Sequence, residues 1–317
     1  MEYKRLEIYV WWTCNQKCTY CMEFPTMEKS WSVKVTKFEI LKKLIKFKKF
    51  WYNHVTYLWW EPFIQPVFHD ALKLWKKLWY TILVTTNCTT LHLDSQASKF
   101  LPYIDELILS LEWISIEQQQ KISRTKNYVH WDLVFEQIKK YWKWTMLKTN
   151  IVITKDNLDF LFDLVLFSYE NWVKNIAVTY PDLDEVYYWY EHLKKYVAPS
   201  YKECINSILK IIDFCKEKNL NLKLPDFPFC IFPTDKIEDY IKLTDDYDYQ
   251  TRIKITYNNE ILDRWDLKDF NFTPRERKHI KKCDKCLYKD KCWGPSSIYK
   301  ELYWDSEINP IILKNYV

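Results

Sequence analysis

The sequence predicts an α/β fold: a partial (β/α)6, TIM-like barrel followed by a smaller cysteine-bearing C-terminal region. Two observations carry this prediction. Six short apolar runs, each typical of a buried parallel strand, alternate with longer amphipathic segments typical of helices. The alternation ends near residue 190, and a polar, aromatic-rich tail with its own cysteines follows. We therefore expect a barrel domain over residues 1–195 and a second domain over residues 196–317.

The individual elements follow from apolar spacing. The runs predicted as strands are residues 6–10, 55–58, 81–86, 106–111, 147–153 and 174–179. The segments with apolar residues at helical spacing are residues 34–50, 66–78, 132–141, 157–170 and 201–218. Because parallel α/β folds bind ligands at the carboxyl ends of their strands, the residues that follow each strand are the expected location of a site.

Composition restricts the class of protein. The chain has 317 residues, a formal net charge of +5 and 28% charged residues, which is too mildly basic to indicate a nucleic-acid surface. No apolar run approaches the roughly 20 residues of a membrane helix, and the N-terminus leads into a strand-like run without a signal-peptide core. We expect a cytoplasmic protein with no membrane or nucleic-acid partner. Its ten cysteines then predict metal or redox ligands rather than disulfides.

Seventeen tryptophans stand against a single glycine, whereas the usual glycine share of about 7% corresponds to roughly 22 residues. Trp51, Trp79 and Trp172 each follow a predicted helix, at a position that favours a left-handed backbone and therefore glycine. The codon UGA is read as glycine in one genetic code and as tryptophan in another. We predict that most of these tryptophans are glycines in the working protein. The alternative is a tryptophan-rich binding protein with stacking platforms.

Three cysteines, Cys14, Cys18 and Cys21, follow the first predicted strand. Three thiolates so close together can converge on one iron–sulfur cluster, and three ligands leave one iron of a four-iron cluster open. They could also begin a zinc site, but zinc normally needs a fourth nearby ligand. The nearest histidine in the sequence is His54, so an iron–sulfur cluster is the preferred interpretation.

The spacing Cys-x3-Cys-x2-Cys after the first strand, with the aromatic Tyr20 before the third cysteine, resembles the signature of the radical S-adenosylmethionine (radical SAM) enzymes. Trp59-Trp60-Glu61-Pro62, after the second strand, is similar to the Gly-Gly-Glu-Pro motif of that family, with tryptophan at both glycine positions. The resemblance covers about residues 4–190.

Two further strands end in similar motifs. Thr86-Asn87-Cys88 is similar to the family's Thr-Asn-Gly, and Ser110-Leu111-Glu112-Trp113 is similar to its Ser-x-Asp-Gly. Tryptophan again replaces glycine at position 113. Cys88 is a departure that the reading of UGA does not explain.

The resemblance implies that Cys14, Cys18 and Cys21 hold a [4Fe–4S] cluster whose open iron binds S-adenosylmethionine (SAM). It implies an electron donor such as flavodoxin or ferredoxin, and cleavage of SAM to methionine and a 5′-deoxyadenosyl radical that takes hydrogen from a substrate. The residues implied to contact SAM are Tyr20, Trp59, Trp60, Glu61, Pro62, Asn87, Ser110 and Glu112. The substrate is unknown, and family analogy favours a peptide, a protein or a cofactor precursor. The alternative is a catalytically inactive metal-binding module, because indoles at positions 59 and 60 would obstruct SAM.

A second cysteine group lies in the C-terminal region. Cys283, Cys286 and Cys292 resemble the pattern of the auxiliary-cluster domains, called SPASM or twitch domains, of some radical SAM enzymes. The resemblance implies an auxiliary iron–sulfur cluster, for which Cys230, in a proline-rich loop, is the predicted fourth ligand. A structural zinc with the same ligands is the alternative. Cys204 and Cys215 lie on a predicted helix and are expected to be buried core thiols.

Overall fold

The computed structural model describes most of the chain and separates it into two compact units. The described residues are 5–8, 14–21, 44–45, 47–49, 51–57, 61–126, 128–142, 146–181, 197–244, 252–255, 279–292, 294–295 and 297–312. The first unit comprises Met1–Cys18, Glu23–Thr149 and Tyr247–Pro274, and the second comprises Thr19–Met22, Asn150–Asp246 and Arg275–Val317. The predicted domain boundary near residue 195 stays a prediction, because compact units and family domains are defined by different criteria.

The described strands and helices alternate along the chain, as predicted. The strands are β1 (Arg5–Ile8), β2 (His54–Tyr57), β3 (Thr81–Thr86), β4 (Glu106–Ser110), β5 (Leu147–Val152), β6 (Asn175–Thr179), β7 (Asn221–Lys223) and β8 (Arg252–Ile255). The α-helices are α1 (Phe68–Lys77), α2 (Asp94–Phe100), α3 (Ile116–Ser123), α4 (Trp131–Tyr141), α5 (Leu161–Glu170), α6 (Tyr201–Glu217), α7 (Ile237–Thr244) and α8 (Ser297–Tyr303). None of these helices is both long and apolar enough to cross a membrane.

In the first unit the strands are ordered β4-β3-β2-β1-β8, and each neighbouring pair is parallel. The apolar run Ile82-Leu83-Val84 of β3 is buried throughout, as expected for a parallel strand covered on both faces. Helix α1 buries Phe68, Ala71, Leu72 and Trp75, spaced three or four residues apart, so one apolar stripe packs into the core. This packing fixes the strand ends from which the site is built.

The second unit contains parallel strands β6 and β7, with Asn175 opposite Asn221. Its longest helix, α6, begins at a capping box in which Ser200 and Glu203 bond each other's backbone amides. Cys204 and Cys215 lie on this helix and are 0% and 2% exposed. The prediction that they are core thiols is therefore confirmed.

The predicted fold class is confirmed: the protein is α/β, and its parallel strands form a partial TIM-like arrangement that does not close. The six predicted strands correspond to β1–β6. Strands β7 and β8 were not predicted, because β7 has only three residues and β8 lies in the polar tail. Helices α2, α3, α7 and α8 were not predicted either. Of the helix predicted over residues 34–50, only residues 44–45 and 47–49 are described; residues 44–45 and 47–48 are helical and residue 49 is a turn.

Four tryptophans have a left-handed backbone: φ is 68° at Trp51 and 59° at Trp79, Trp172 and Trp304. Each follows a helical turn, and the amide of Trp79, for example, donates to Lys76 O at 3.0 Å. Their side chains are 57–85% exposed, so little packing compensates the cost of about 1–2 kcal/mol that a Cβ imposes on this backbone. The left-handed backbone expected at Trp51, Trp79 and Trp172 is confirmed. The identity of these residues as glycines stays a prediction.

Candidate functional site

Glu61 lies just after β2 and is fully buried. Its carboxylate accepts hydrogen bonds from Asn87 N at 2.7 Å, Phe63 N at 3.1 Å and Thr86 Oγ1 at 2.9 Å. Burial raises the pKa of Glu61 to about 7, although these three hydrogen bonds act in the opposite direction. One carboxylate therefore joins the carboxyl ends of β2 and β3. Its pKa of about 7 means that it gains or loses a proton near neutral pH.

The cysteine loop is tied to the same strand end. Asn87 donates through Nδ2 to Asn15 Oδ1 at 2.9 Å and to Cys14 Sγ at 3.6 Å. Asn15 in turn donates to Thr89 Oγ1 at 2.7 Å, and Thr89 donates to Asn87 Oδ1 from both its hydroxyl and its amide. The structure thus brings together Cys14, Glu61 and Asn87, three residues predicted from separate motifs. Asn15, Thr86 and Thr89 were missed, and only their positions beside those motifs could have suggested them.

The loop has a second anchor, because Lys17 N donates to Ser123 O at the end of α3 at 2.9 Å. Within the loop, Cys18 Sγ lies 3.5 Å from Gln16 Oε1. Cys14, Cys18 and Cys21 are all partly exposed. Cys14 and Cys18 belong to the first unit, whereas Tyr20 and Cys21 belong to the second.

Two further predicted residues lie at or just after the end of β4. Ser110 is its last residue, and Glu112 is 1% exposed. Trp113 is fully buried, its carbonyl accepts from Trp131 Nε1 at 3.0 Å, and its own Nε1 has no hydrogen-bond partner. The indole at position 113 therefore fills protein interior without satisfying its polar atom. Trp59 and Trp60 lie outside the described residues, whereas Pro62 begins a buried 3-10 turn.

Cys88 occupies the position after Asn87 with φ of 64° and is fully buried. Burial raises the pKa of its thiol well above the usual range, and the carboxyls of Glu61 and Glu112 add to the effect. Two predicted carboxylates therefore act on one thiol. The left-handed backbone is the conformation that glycine adopts most readily, in keeping with the glycine of the Thr-Asn-Gly motif.

The C-terminal cysteines form a second group, entirely within the second unit. Cys283 and Cys292 are each 8% exposed. Burial raises the pKa of Cys230 to about 12, and Cys292, Cys283 and Cys286 all act on it electrostatically. The Cys230 thiol accepts a backbone hydrogen bond from Asn309, and the Cys292 thiol accepts one from Phe229 and one from Gly294, the last at 3.3 Å. The Cys230 thiol therefore lies within electrostatic reach of the other three predicted ligands.

Among the described residues, no three Cys, His, Asp or Glu side chains are positioned to hold a single metal ion. A four-iron cluster is a different case, because each of its thiolates binds a separate iron and the sulfurs do not converge on one point. Backbone amides directed at thiol sulfurs are the usual surroundings of iron–sulfur ligands. Both cysteine groups supply thiolates, the donors that hold iron–sulfur clusters.

Comparison with known proteins agrees with this geometry. Residues 9–161 match the family model described as the radical SAM superfamily. Over 163 residues the chain is 24% identical to an S-adenosylmethionine-dependent nucleotide dehydratase from Flammeovirga pacifica, a match that covers 49% of this chain and 55% of that protein. The chain thus spans about half the length of this curated relative.

Solved structures extend the similarity beyond the barrel. SuiB from Streptococcus suis, bound to its precursor peptide SuiA, matches with a TM-score of 0.55 and 19% identity over 70% of this chain and 48% of SuiB. The enzyme anSMEcpe with bound AdoMet and a peptide matches with a TM-score of 0.59 and 16% identity over 92% of this chain and 87% of its own. At these identities the likeness establishes the fold. The family match spans the cysteine loop, Glu61 and Asn87, so residues 9–161 are identified as a radical SAM superfamily domain.

Proposed function

We propose that the protein is a radical SAM enzyme that cleaves SAM reductively and abstracts hydrogen from a peptide substrate. The observation that carries this proposal is the hydrogen-bonded junction of Cys14, Asn87 and Glu61. It links the cysteine loop to the ends of β2 and β3, which is where a parallel α/β fold binds its ligand.

Each residue has a defined task in this proposal. Cys14, Cys18 and Cys21 would hold a [4Fe–4S] cluster, which when bound would supply the electron for reductive cleavage of SAM. Asn87 orients the loop through its bonds to Asn15 and Cys14. Glu61 and the neighbouring backbone at Trp59 and Trp60, with Pro62, receive the methionine ammonium. The buried setting of the carboxylate strengthens its attraction for that cation.

The remaining contacts lie at the other end of SAM. Ser110 and Glu112, at the end of β4, position the methionine or ribose portion, and the backbone around Tyr20 approaches the adenine. The surrounding interior excludes water from the radical. A reduced flavodoxin or ferredoxin is the proposed electron donor.

The choice of a peptide substrate is supported by how far the similarities extend. The anSMEcpe complex with AdoMet and a peptide matches 92% of this chain, including its C-terminal region, and SuiB was solved with a precursor peptide. The relative named as a nucleotide dehydratase matches only 49% of the chain. A nucleotide is therefore the second candidate substrate.

We also propose that position 113 and the four left-handed positions are glycine in the working protein. Support comes from the exposed indoles on left-handed backbone and from the unpartnered Nε1 of buried Trp113. Glycine at position 113, and at 59 and 60, would leave room for SAM. Peptide masses of the protein isolated from its native cells decide the matter: tryptophan masses at these positions would refute the proposal.

For the C-terminal group we propose a single auxiliary iron–sulfur cluster held by Cys230, Cys283, Cys286 and Cys292. The mutual proximity of their thiols and the backbone amides directed at Cys230 and Cys292 support it. In this arrangement the thiols lose their protons on binding metal, despite the raised pKa of Cys230. Zinc held by the same thiolates is the competing identity.

The test of the catalytic proposal is formation of 5′-deoxyadenosine. The protein, with glycine at its UGA-coded positions, is reconstituted anaerobically with iron and sulfide, reduced with dithionite and given SAM. We expect 5′-deoxyadenosine, measured by mass spectrometry, from this protein and none from its Cys14→Ala variant. A reconstituted cluster with no 5′-deoxyadenosine would favour the inactive metal-binding module. Acceleration by a peptide library but not by nucleotides would support the peptide class, and the reverse would overturn it.

A further inference from the structure

The C-terminal strap, residues 297–312, contacts every segment that bears an auxiliary-site cysteine. Asn309 donates its backbone amide to the Cys230 thiol. Lys282, next to Cys283, bonds the Asp305 carbonyl at 2.9 Å and pairs with its carboxylate at 3.2 Å. Leu287 N, next to Cys286, donates to Ile311 O at 2.9 Å. The strap therefore contacts both the Cys230 loop and the Cys283–Cys292 loop, which also touch each other directly where Phe229 N donates to the Cys292 thiol.

The strap is itself fixed to the N-terminus of helix α6. Tyr299 Oη accepts from Tyr201 N at 2.9 Å and donates to Glu307 Oε2 at 2.5 Å. The same carboxylate oxygen accepts from Lys202 N at 3.0 Å. The rings of Tyr201 and Tyr299 are stacked with centroids 4.0 Å apart. Tyr299 and Glu307 thus accept hydrogen bonds from the first two free amides of the helix, Tyr201 N and Lys202 N. We call these two side chains and the two amides the clasp.

The clasp is well suited to hold a fixed geometry. A carboxylate at a helix N-terminus is favoured by the helix dipole, and hydrogen bonds to a charged oxygen are shorter and stronger than neutral ones. Ile308, next to Glu307, is fully buried, so an apolar side chain also anchors this part of the strap. Only one residue separates Glu307 from Asn309, whose amide reaches the Cys230 thiol.

We propose that Tyr299 and Glu307 are positioning residues for the auxiliary metal site. Through the clasp they hold the strap in the one register that places the Asn309 amide on Cys230 and the Cys283–Cys292 loop opposite it. Neither side chain ligates the metal. The inference rests on the proposed auxiliary site and adds the residues that keep its two halves together.

The test measures metal release from the full chain in a Cys14→Ala/Cys18→Ala/Cys21→Ala background, in which bound iron reports the C-terminal site alone. Glu307→Gln weakens the clasp, because a neutral amide oxygen replaces its charged acceptor. Tyr299→Phe removes the hydroxyl of the clasp and keeps the stacked ring. Glu203→Gln is the matched control, because it also removes one negative charge at the first turn of α6, where Glu307 contacts Lys202 N. Its partner is Ser200 N, in the capping box, which glutamine also completes.

We expect both clasp variants to release iron to a chelator about ten-fold faster than the parent, as for loss of one charge-assisted hydrogen bond. The double variant should release iron more slowly than the product of the two single effects predicts, because both single variants affect the same Tyr299–Glu307 hydrogen bond. The visible and EPR spectra of the site should change with them, whereas Glu203→Gln keeps the parent's rate and spectra.

The outcomes separate the two proposals. A parent that binds no metal at all would overturn the auxiliary site, and the clasp with it. A parent that holds iron while both clasp variants match its release rate would overturn the clasp alone. Equal acceleration in Glu203→Gln and Glu307→Gln, with equal loss of thermal stability, would reduce the clasp to ordinary helix stabilisation and also overturn it.

Discussion

The Cys14 thiol accepts a hydrogen bond from a side-chain amide, that of Asn87, whereas the thiols of Cys230 and Cys292 accept hydrogen bonds from backbone amides. In the N-terminal loop, Asn87 and Asn15 supply amide groups and the cysteines remain partly exposed. In the C-terminal group, Asn309, Phe229 and Gly294 supply N–H donors, and Cys283 and Cys292 are buried.

This difference matches two kinds of metal site. A site that binds a small molecule at the metal keeps one side open, while a structural or electron-transfer site is closed by protein. The three N-terminal cysteines are all partly exposed, whereas two of the four C-terminal cysteines, Cys283 and Cys292, are buried, so the C-terminal group is the less open of the two. We expect loss of the first to stop the chemistry, and loss of the second to weaken the protein or its substrate turnover while SAM cleavage continues.

The largest expected effect is on SAM cleavage, which should depend on the N-terminal cysteines and not on the C-terminal ones. Cys18→Ser should reduce 5′-deoxyadenosine formation at least about 10³-fold, because the cluster that delivers the electron is lost. Cys283→Ser should leave SAM cleavage in the absence of substrate within about ten-fold of the parent. Mass spectrometry of single-turnover reactions measures both. Equal loss in the two variants would break the comparison, since it would make both clusters necessary for SAM cleavage.

The second effect concerns which metal each region holds. Cys283→Ser should lower iron and acid-labile sulfide by about half, because one of two clusters is lost, with no change in zinc. Cys204→Ser on α6 is the matched control, as its thiol is buried and belongs to neither group. Loss of zinc in place of iron and sulfide would assign the C-terminal site to structural zinc.

The two regions also differ in how far the sequence foretells them. The six buried strands β1–β6 and the cysteine loop follow from apolar runs and a short motif, since both are local in the chain. The bonds of Asn15 to Thr89 and of Glu61 to Thr86 join residues 25–74 positions apart, and only the packing of β1–β3 brings them together. The clasp joins Tyr201 to Tyr299, 98 positions apart, and no periodicity in the polar tail predicts this contact.

A third test sharpens the role of the N-terminal region through pH. Burial raises the pKa of Glu61 to about 7, so the carboxyl of the SAM-free protein is mostly protonated below that pH. A methionine ammonium beside it favours the charged form, and SAM binding then releases a proton. The affinity for SAM should therefore rise with pH, by up to about ten-fold per unit below pH 7, and level off above it.

Equilibrium dialysis with SAM between pH 6 and 8 measures this dependence. Glu61→Gln should flatten it and weaken binding at pH 8, because the amide carries no charge to pair with the ammonium. Glu136→Gln, on α4, is the charge-matched control and should keep the parent profile. If the slope persists in Glu61→Gln, another group titrates and the carboxylate serves only to join β2 to β3.

The smallest expected effect is on the free energy of unfolding. It tests whether both regions prefer glycine at their left-handed positions. Trp79→Gly in the first unit and Trp304→Gly in the second should each raise the free energy of unfolding by about 0.5–1 kcal/mol. Relief of the left-handed strain, about 1–2 kcal/mol, exceeds the entropy that glycine adds to the unfolded chain, about 0.5–1 kcal/mol. The indoles are 85% and 78% exposed, so little burial is lost.

Arg124 and Asn219 are also left-handed and exposed, and they serve as controls. Arg124→Gly should stabilise the protein by a similar amount. Asn219→Gly should change its stability hardly at all, because asparagine tolerates this backbone. Urea unfolding measures all four. Destabilisation by Trp304→Gly alone would mean that its indole makes contacts the C-terminal region needs, and would make the literal tryptophan the native residue there.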